Sequence, residues 1–376
     1  MTVTAHIGAA VFDGETLRGD AALLMTGDKV TGIVPRADAP GDCTVMEHQG
    51  GTLMPGFVDL QVNGGGGVML NDAPTPETLT RIVSAHASTG TVALLPTLIT
   101  DTPEKTTAAI AATVQAIEHG TPGLLGLHLE GPHLSPEKAG AHDPALIRPM
   151  SDVDQAELIA AASQLPNLMV TLAPEVVAPR QIAQLVKAGV IVALGHSNCT
   201  YDVARAAVDA GASVVTHLFN AMSQPTSRTP GLVGATLTTD TVHAGLIADG
   251  IHVHPAMMRA ALRAKQAPGR IFLVTDAMAT AASDITSFQL NGRQITRRDG
   301  RLTLSDGTLA GADLDMAQAL RCLQSHTDLS WEACLQMATS APADVLHQPM
   351  GAGRLTPGES GNVIHLSEDK TQVTSI

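Results

Sequence analysis

VIVALGHSNCTYDVARAAVDAGASVVTHLFNA, residues 190–221, contains two short apolar runs separated by an amphipathic stretch, and each run ends in a histidine. VIVAL and SVV are β-branched and bounded by small residues, whereas 200–210 has helical periodicity, so the segment reads as strand, helix, strand. Strands that are apolar on both faces and joined by a helical crossover belong in a parallel sheet covered on both sides. In an extended chain the side chains two residues apart share a face, so His196 and His217 occupy equivalent positions at the ends of adjacent strands.

Outward from this unit the same alternation extends in both directions. FVDLQVNG precedes a helical stretch at 77–89, VALLPTL one at 104–119, LLGLHLEG one at 152–164 and LMVTLAPE one at 179–188. SVVTHLFNA is followed by a Pro/Gly-containing loop, HAGLIADG by a helix at 255–266, and RIFLVTDA by an insertion and then a helix at 312–325. Eight βα units over about 250–300 residues suit a (β/α)8 TIM barrel better than an open doubly wound sheet. The flanks differ, with short strand-like runs and Asp-Gly turns at 1–53 and 354–376, which are expected to form one small β-sandwich domain from both chain ends. That leaves 54–353 for the barrel, with a β-hairpin insertion near 285–310, where Asn-Gly and Asp-Gly turns recur.

The 376 residues are 44% hydrophobic and 15% charged, an ordinary globular balance. A net charge of −14 without a basic run excludes a nucleic-acid surface or an anionic membrane surface, so an anionic ligand must be small and locally held. One Trp and one Tyr leave no base-stacking platform. Cys43, Cys199, Cys322 and Cys334 have no CxxC spacing and read as reduced thiols, which together with the lack of a leader or a membrane-length apolar run points to a cytoplasmic protein.

In a barrel the chemistry gathers at the C-terminal ends of the strands. The polar residues there are Gln61 and Asn63, His128 and Glu130, Glu175, His196, His217 and Asn220, Asp249 and Asp276. A rim carboxylate such as Glu130 is costly to bury unless paired, either to a neighbouring arginine or to a metal. One rim histidine is more often a hydrogen-bonded core residue than a ligand. Two on adjacent strands beyond a rim Glu shift the balance to a metal, because imidazole and carboxylate suit zinc and iron. Three protein ligands leave a position open for chemistry, and Asp276, either a helix N-cap or a base, stands where the eighth strand ends. His128 is either a neighbour of the ligands or a core residue.

The segments PGFVDLQVNGGGG, LHLEGPHLSPEKAGAH, GHSNCTY, THLFNAM, PGLVGA, IADGIHV, LVTDAMA and TLAGADLDM, in that order over about residues 54–320, resemble the N-acetylglucosamine-6-phosphate deacetylases of the amidohydrolase superfamily. The resemblance implies hydrolysis of the acetamido group of an amino-sugar phosphate, with Glu130, His196 and His217 holding one divalent metal per subunit, zinc or else iron or cobalt. It implies Asp276 as general base and then general acid, and His142 as the group that helps polarise the acetyl carbonyl. Substrate contacts implied are His252, the backbone N–H groups of Asn220 and Ala221, Leu309 in a lid or plain turn, and Arg228 reaching phosphate across a homodimer. The galactosamine epimer is an alternative substrate. A dihydroorotase-like activity is disfavoured by the missing strand-four lysine, and an inactive scaffold is the reading from another class. Where many amidohydrolases carry His-x-His on strand one, this chain has Gln61-Val62-Asn63, so a second metal site is expected to be vestigial, with both amides hydrogen-bonded to water or to groups behind the ligands.

Overall fold

The computed structural model describes residues 2–376. Eight parallel strands, β1 (Phe57–Val62), β2 (Thr91–Ile99), β3 (Leu127–Glu130), β4 (Leu168–Leu172), β5 (Val190–Leu194), β6 (Val214–Val215), β7 (His243–Leu246) and β8 (Ile271–Leu273), pair in chain order. The ring is completed at its mouth by a parallel bridge between Val62 and Ala277, with the Asp276 N–H donating to the Gln61 carbonyl at 3.0 Å. Nearly every strand residue is buried, as expected when side chains fill the barrel interior and helices cover its outside.

The crossover helices are α1 (Pro76–Ala87), α2 (Pro103–Glu118), α3 (Asp152–Ala162), α4 (Pro179–Lys187), α5 (Tyr201–Asp209), α6 (Gly231–Thr238), α7 (Pro255–Ala264) and α8 (Met316–His326). Their starts are legible: Thr75, Thr102, Ser151 and Thr200 each accept an N–H of the first turn, and α1, α2, α4 and α7 open on proline. Helix α6 corrects an expectation, since the Pro/Gly segment after β6 reads as loop. Pro230, in the right-handed helical region, and Gly231, itself at φ +62°, turn the chain into a helix whose residues 231–236 are all buried, so packing overrides the breaker signal.

The insertion also differs from a single hairpin. It is a four-stranded antiparallel sheet, Ser287–Leu290, Arg293–Arg298, Arg301–Thr303 and Leu309–Ala312, whose Leu290, Ile295, Leu302 and Ala310 pack with Met69, Ile99 and Met278 beside the barrel mouth. Leu309 therefore lies in a strand rather than in a plain turn. The two chain ends supply a four-stranded sheet containing Thr4–Ile7, Ala21–Thr26, Lys29–Pro35 and Thr44–Glu47, and a five-stranded sheet in which Val363–Leu366 runs antiparallel to Thr52–Pro55. All four cysteines are free.

Candidate metal centre and active site

Three strand ends deliver their polar residues in an uncommon backbone state. His196, His217 and Asp276 have φ of 45°, 27° and 52°, the left-handed region that side chains with a Cβ avoid. Such strain persists where surrounding structure enforces it, and it clusters at functional sites. Here it turns all three side chains into one cavity of about 340 Å³, which Glu130, His142, Asn220, Ala221, His252 and Leu309 also line.

At the floor, Glu130 Oε1 lies 3.2 Å from His196 Nε2 and 3.0 Å from His217 Nε2, and the two imidazole nitrogens are 3.0 Å apart. His196 Nδ1 donates to the Lys138 carbonyl at 2.8 Å, so its Nε2 presents a bare lone pair to the carboxylate. Acceptors facing one another in a buried site need positive charge between them. Ligands of a tetrahedral zinc sit roughly 3.3 Å apart, so this donor set fits a divalent cation. The same attraction appears in the protonation of the groups. Burial opposes charge on Glu130, but the two histidines hold its carboxyl well below the usual range, and Glu130 raises His217 against the effect of burial. Nδ1 of His217 is buried without a partner among the described residues. His142 is a looser neighbour of this set, its Nε2 3.9 Å from Glu130 Oε2.

His142 Nδ1 lies 2.8 Å from the Thr100 hydroxyl and accepts the Thr100 N–H at 3.3 Å, which places the ring proton on Nε2, facing the cavity. Burial and the nearby His196 hold His142 neutral, well below the ordinary histidine range. A neutral N–H donor beside a cation site can bond a carbonyl oxygen. Asp276, in turn, accepts Asn63 Nδ2 at 2.7 Å and Gln61 Nε2 at 3.2 Å, while Gln61 Nε2 is also 3.1 Å from Glu130 Oε1. The amides thus bond the carboxylates themselves. Burial and the Glu130 charge push the Asp276 carboxyl up to about 6, in the range useful to a base at neutral pH.

Other expectations fare differently. The Asn220 backbone N–H is taken by the His217 carbonyl at 3.0 Å, because the chain turns tightly after β6, and is not free for an anion. Arg228 is exposed and does not line the cavity. Glu175 lies outside it, where its carboxylate accepts Ser197 Oγ at 2.6 Å and the Asn198 N–H at 2.7 Å and so braces the loop carrying His196. His128 belongs to the barrel interior, with Nδ1 3.0 Å from the Leu60 carbonyl and Nε2 2.7 Å from Thr171 Oγ1; burial lowers its pKa to about 4. Sequence reasoning gave no role to Thr100 or Lys138. Thr100 follows β2, whose rim carries no ionisable ligand to draw notice, and Lys138 acts through its carbonyl, which leaves no trace in residue identity.

A closed parallel barrel whose strand ends gather a carboxylate, two imidazoles and a buried aspartate around one cation-sized space defines a barrel hydrolase. The chain belongs to the Amidohydrolase family, whose profile matches residues 52–374. Within it, the chain is 44% identical over 320 residues to the N-acetylgalactosamine-6-phosphate deacetylase of Shewanella sp. (strain ANA-3), covering 85% of this chain and 80% of the relative. It is 32% identical to the N-acetylglucosamine-6-phosphate deacetylase of Haemophilus influenzae, covering 96% of this chain and 94% of the relative. The crystal structure of N-acetylglucosamine-6-phosphate deacetylase from Pasteurella multocida superposes over 100% of both chains, with TM-score 0.92 and 34% identity.

Proposed function

We propose that this chain hydrolyses the acetamido group of N-acetyl-D-glucosamine 6-phosphate to D-glucosamine 6-phosphate and acetate, in amino-sugar catabolism. The observation that carries the reading is the convergence of Glu130, His196 and His217 within 3.2 Å beneath a cavity that also holds Asp276. The deacetylase relatives, which span nearly the whole chain, support the substrate.

In this reading Glu130, His196 and His217 hold one divalent cation per subunit, zinc by preference, with iron or cobalt accepted by the same donors. A cation there supplies Lewis-acid charge and makes hydroxide available near neutral pH. Asp276 takes the proton of the attacking water and returns it to the departing amine nitrogen, and His142 Nε2–H bonds the acetyl oxygen as charge develops on it. Gln61 and Asn63 occupy a vestigial second metal position. His252 and Leu309 line the sugar pocket, and Ala221 offers its backbone N–H to the phosphate beside the Asn220 side chain. Arg228 serves the neighbouring subunit of a homodimer, where a guanidinium on an exposed loop can pair two N–H donors with phosphate in an otherwise acidic protein.

The reading extends to a cytoplasmic protein in which 1–53 and 354–376 form a β-sandwich beside the 54–353 barrel, supported by the free cysteines and by the pairing of Val363–Leu366 with Thr52–Pro55. No helix among the described residues is long and apolar enough to cross a membrane. The test is acetate release from N-acetylglucosamine 6-phosphate alongside metal quantification. A protein without tightly bound metal that gains no activity from zinc, iron or cobalt sinks the proposal. The 44% identity to a galactosamine-type relative favours a second reading on the epimer, which comparison of turnover on the two 6-phosphates decides.

A further inference from the structure

Asp249 follows β7 and is not part of the cavity wall, yet its carboxylate is fully engaged. Oδ1 accepts the N–H groups of Ile251 and His252, both at 2.8 Å, and Oδ2 lies 2.6 Å from His252 Nδ1. Both side chains are buried, at 7% and 8% exposure, and His252 forms part of the cavity wall near Asp276. A carboxylate at this distance requires the proton on Nδ1, since an ionised carboxylate only accepts. Burial opposes the ionisation of Asp249, but the His252 ring and the two N–H groups hold its carboxyl below the usual range. His252 Nε2 has no protein partner among the described residues and is the ring nitrogen left to the cavity.

We propose that Asp249 is a positioning residue for substrate recognition: by fixing the proton of His252 on Nδ1 it makes Nε2 a hydrogen-bond acceptor that takes a hydroxyl of the sugar ring. This inference rests on the sugar-phosphate reading of the cavity. The two backbone N–H bonds fix the loop, so the ring and its carboxylate are held as one unit, and the polarity of Nε2 follows from a residue that never touches the substrate. A hydroxyl also accepts, so reversing this bond does not abolish it, but the hydroxyl's own proton must then find another acceptor in the pocket and a donor to its oxygen is displaced, which costs affinity.

Asp249→Asn separates polarity from geometry. The amide oxygen still serves the two N–H groups, but the amide NH₂ now faces Nδ1, so the proton moves to Nε2 and the acceptor becomes a donor. The expected result is a rise in KM for N-acetylglucosamine 6-phosphate of about tenfold or more, with kcat changed less than about threefold. His252→Ala should raise KM similarly, and Asp249→Asn should add nothing further in the His252→Ala background. An unchanged KM in Asp249→Asn, or losses that add in the double variant, overturns the inference, since a purely structural aspartate acts whether or not the imidazole is present. If the wild-type chain hydrolyses neither 6-phosphate, the functional reading falls and this inference with it. An active wild type with an unaffected Asp249→Asn KM overturns this inference alone.

Discussion

Asn63 Nδ2 donates to Asp276 Oδ1 at 2.7 Å, and the same oxygen receives Gln61 Nε2 at 3.2 Å. These are hydrogen bonds to an ionisable carboxyl buried at the barrel mouth, worth roughly 1.5–3 kcal/mol each when the carboxyl is charged. Two neutral amides therefore do here, by donation, part of what a second cation would do by charge: they hold the aspartate in place and favour its ionised form. Because Gln61 also reaches Glu130 at 3.1 Å, the pair ties the aspartate to the Glu130 carboxylate.

Removing the shorter bond tests this. Asn63→Ala should lower kcat about 10- to 100-fold while metal content stays at the wild-type level, since Asn63 touches none of Glu130, His196 and His217. Elemental analysis showing two full-occupancy ions in the wild type would count against the amides as fillers of a second site.

Asp276→Asn keeps the shape of the side chain and removes its basicity. Substrate affinity and metal content should stay within about threefold of wild type, whereas kcat should fall by roughly 10²–10⁴, the usual contribution of a positioned acid–base group. Turnover near that of the wild type would remove Asp276 from the chemistry.

Thr100→Val withdraws the hydroxyl that holds His142 Nδ1 at 2.8 Å and leaves only the longer backbone N–H contact. The ring proton is then less firmly assigned to Nε2, and kcat should fall about tenfold with bound metal unchanged. Equal loss of metal and activity would instead place Thr100 among the supports of the cation site, through its longer contact with the Glu130 carbonyl at 3.3 Å.

The barrel was legible because its evidence is local: runs such as VIVAL and RIFLV between amphipathic stretches, with proline and hydroxyl caps at the helix starts. The convergence of Glu130, His196 and His217 was foreseeable for a related reason, since a barrel fixes where each strand end points. What residue identity does not encode is backbone chemistry and tertiary override. Lys138 contributes a carbonyl, the Asn220 N–H is consumed by a tight turn, and the Pro-Gly at 230–231 opens a helix because its apolar residues find a buried face. The two amides showed as an oddity of strand one, but that their partners are Asp276 and Glu130 follows only once β1 closes against the end of β8.

That closure has its own titratable group. Asp59, on β1, is fully buried; its Oδ2 accepts Thr275 Oγ1 at 2.5 Å, and its Oδ1 accepts the Gln61 N–H at 3.2 Å, so it clamps the chain just before Asp276. Burial, against these hydrogen bonds, pushes its carboxyl up from 3.8 to about 7. Between those values the folded chain holds a proton that the unfolded chain has lost, so Asp59 contributes its full stability below about pH 4, and that contribution drains away as pH rises to about 7. The slope reaches at most about 1.4 kcal/mol per pH unit. Asp59→Asn cannot ionise and should flatten this part of the profile: its Tm should lie below that of the wild type at pH 4.5, where the acid is protonated and well bonded, and draw level with or pass it by pH 8. Parallel Tm curves for the two proteins across that interval would show that Asp59 does not change protonation on unfolding.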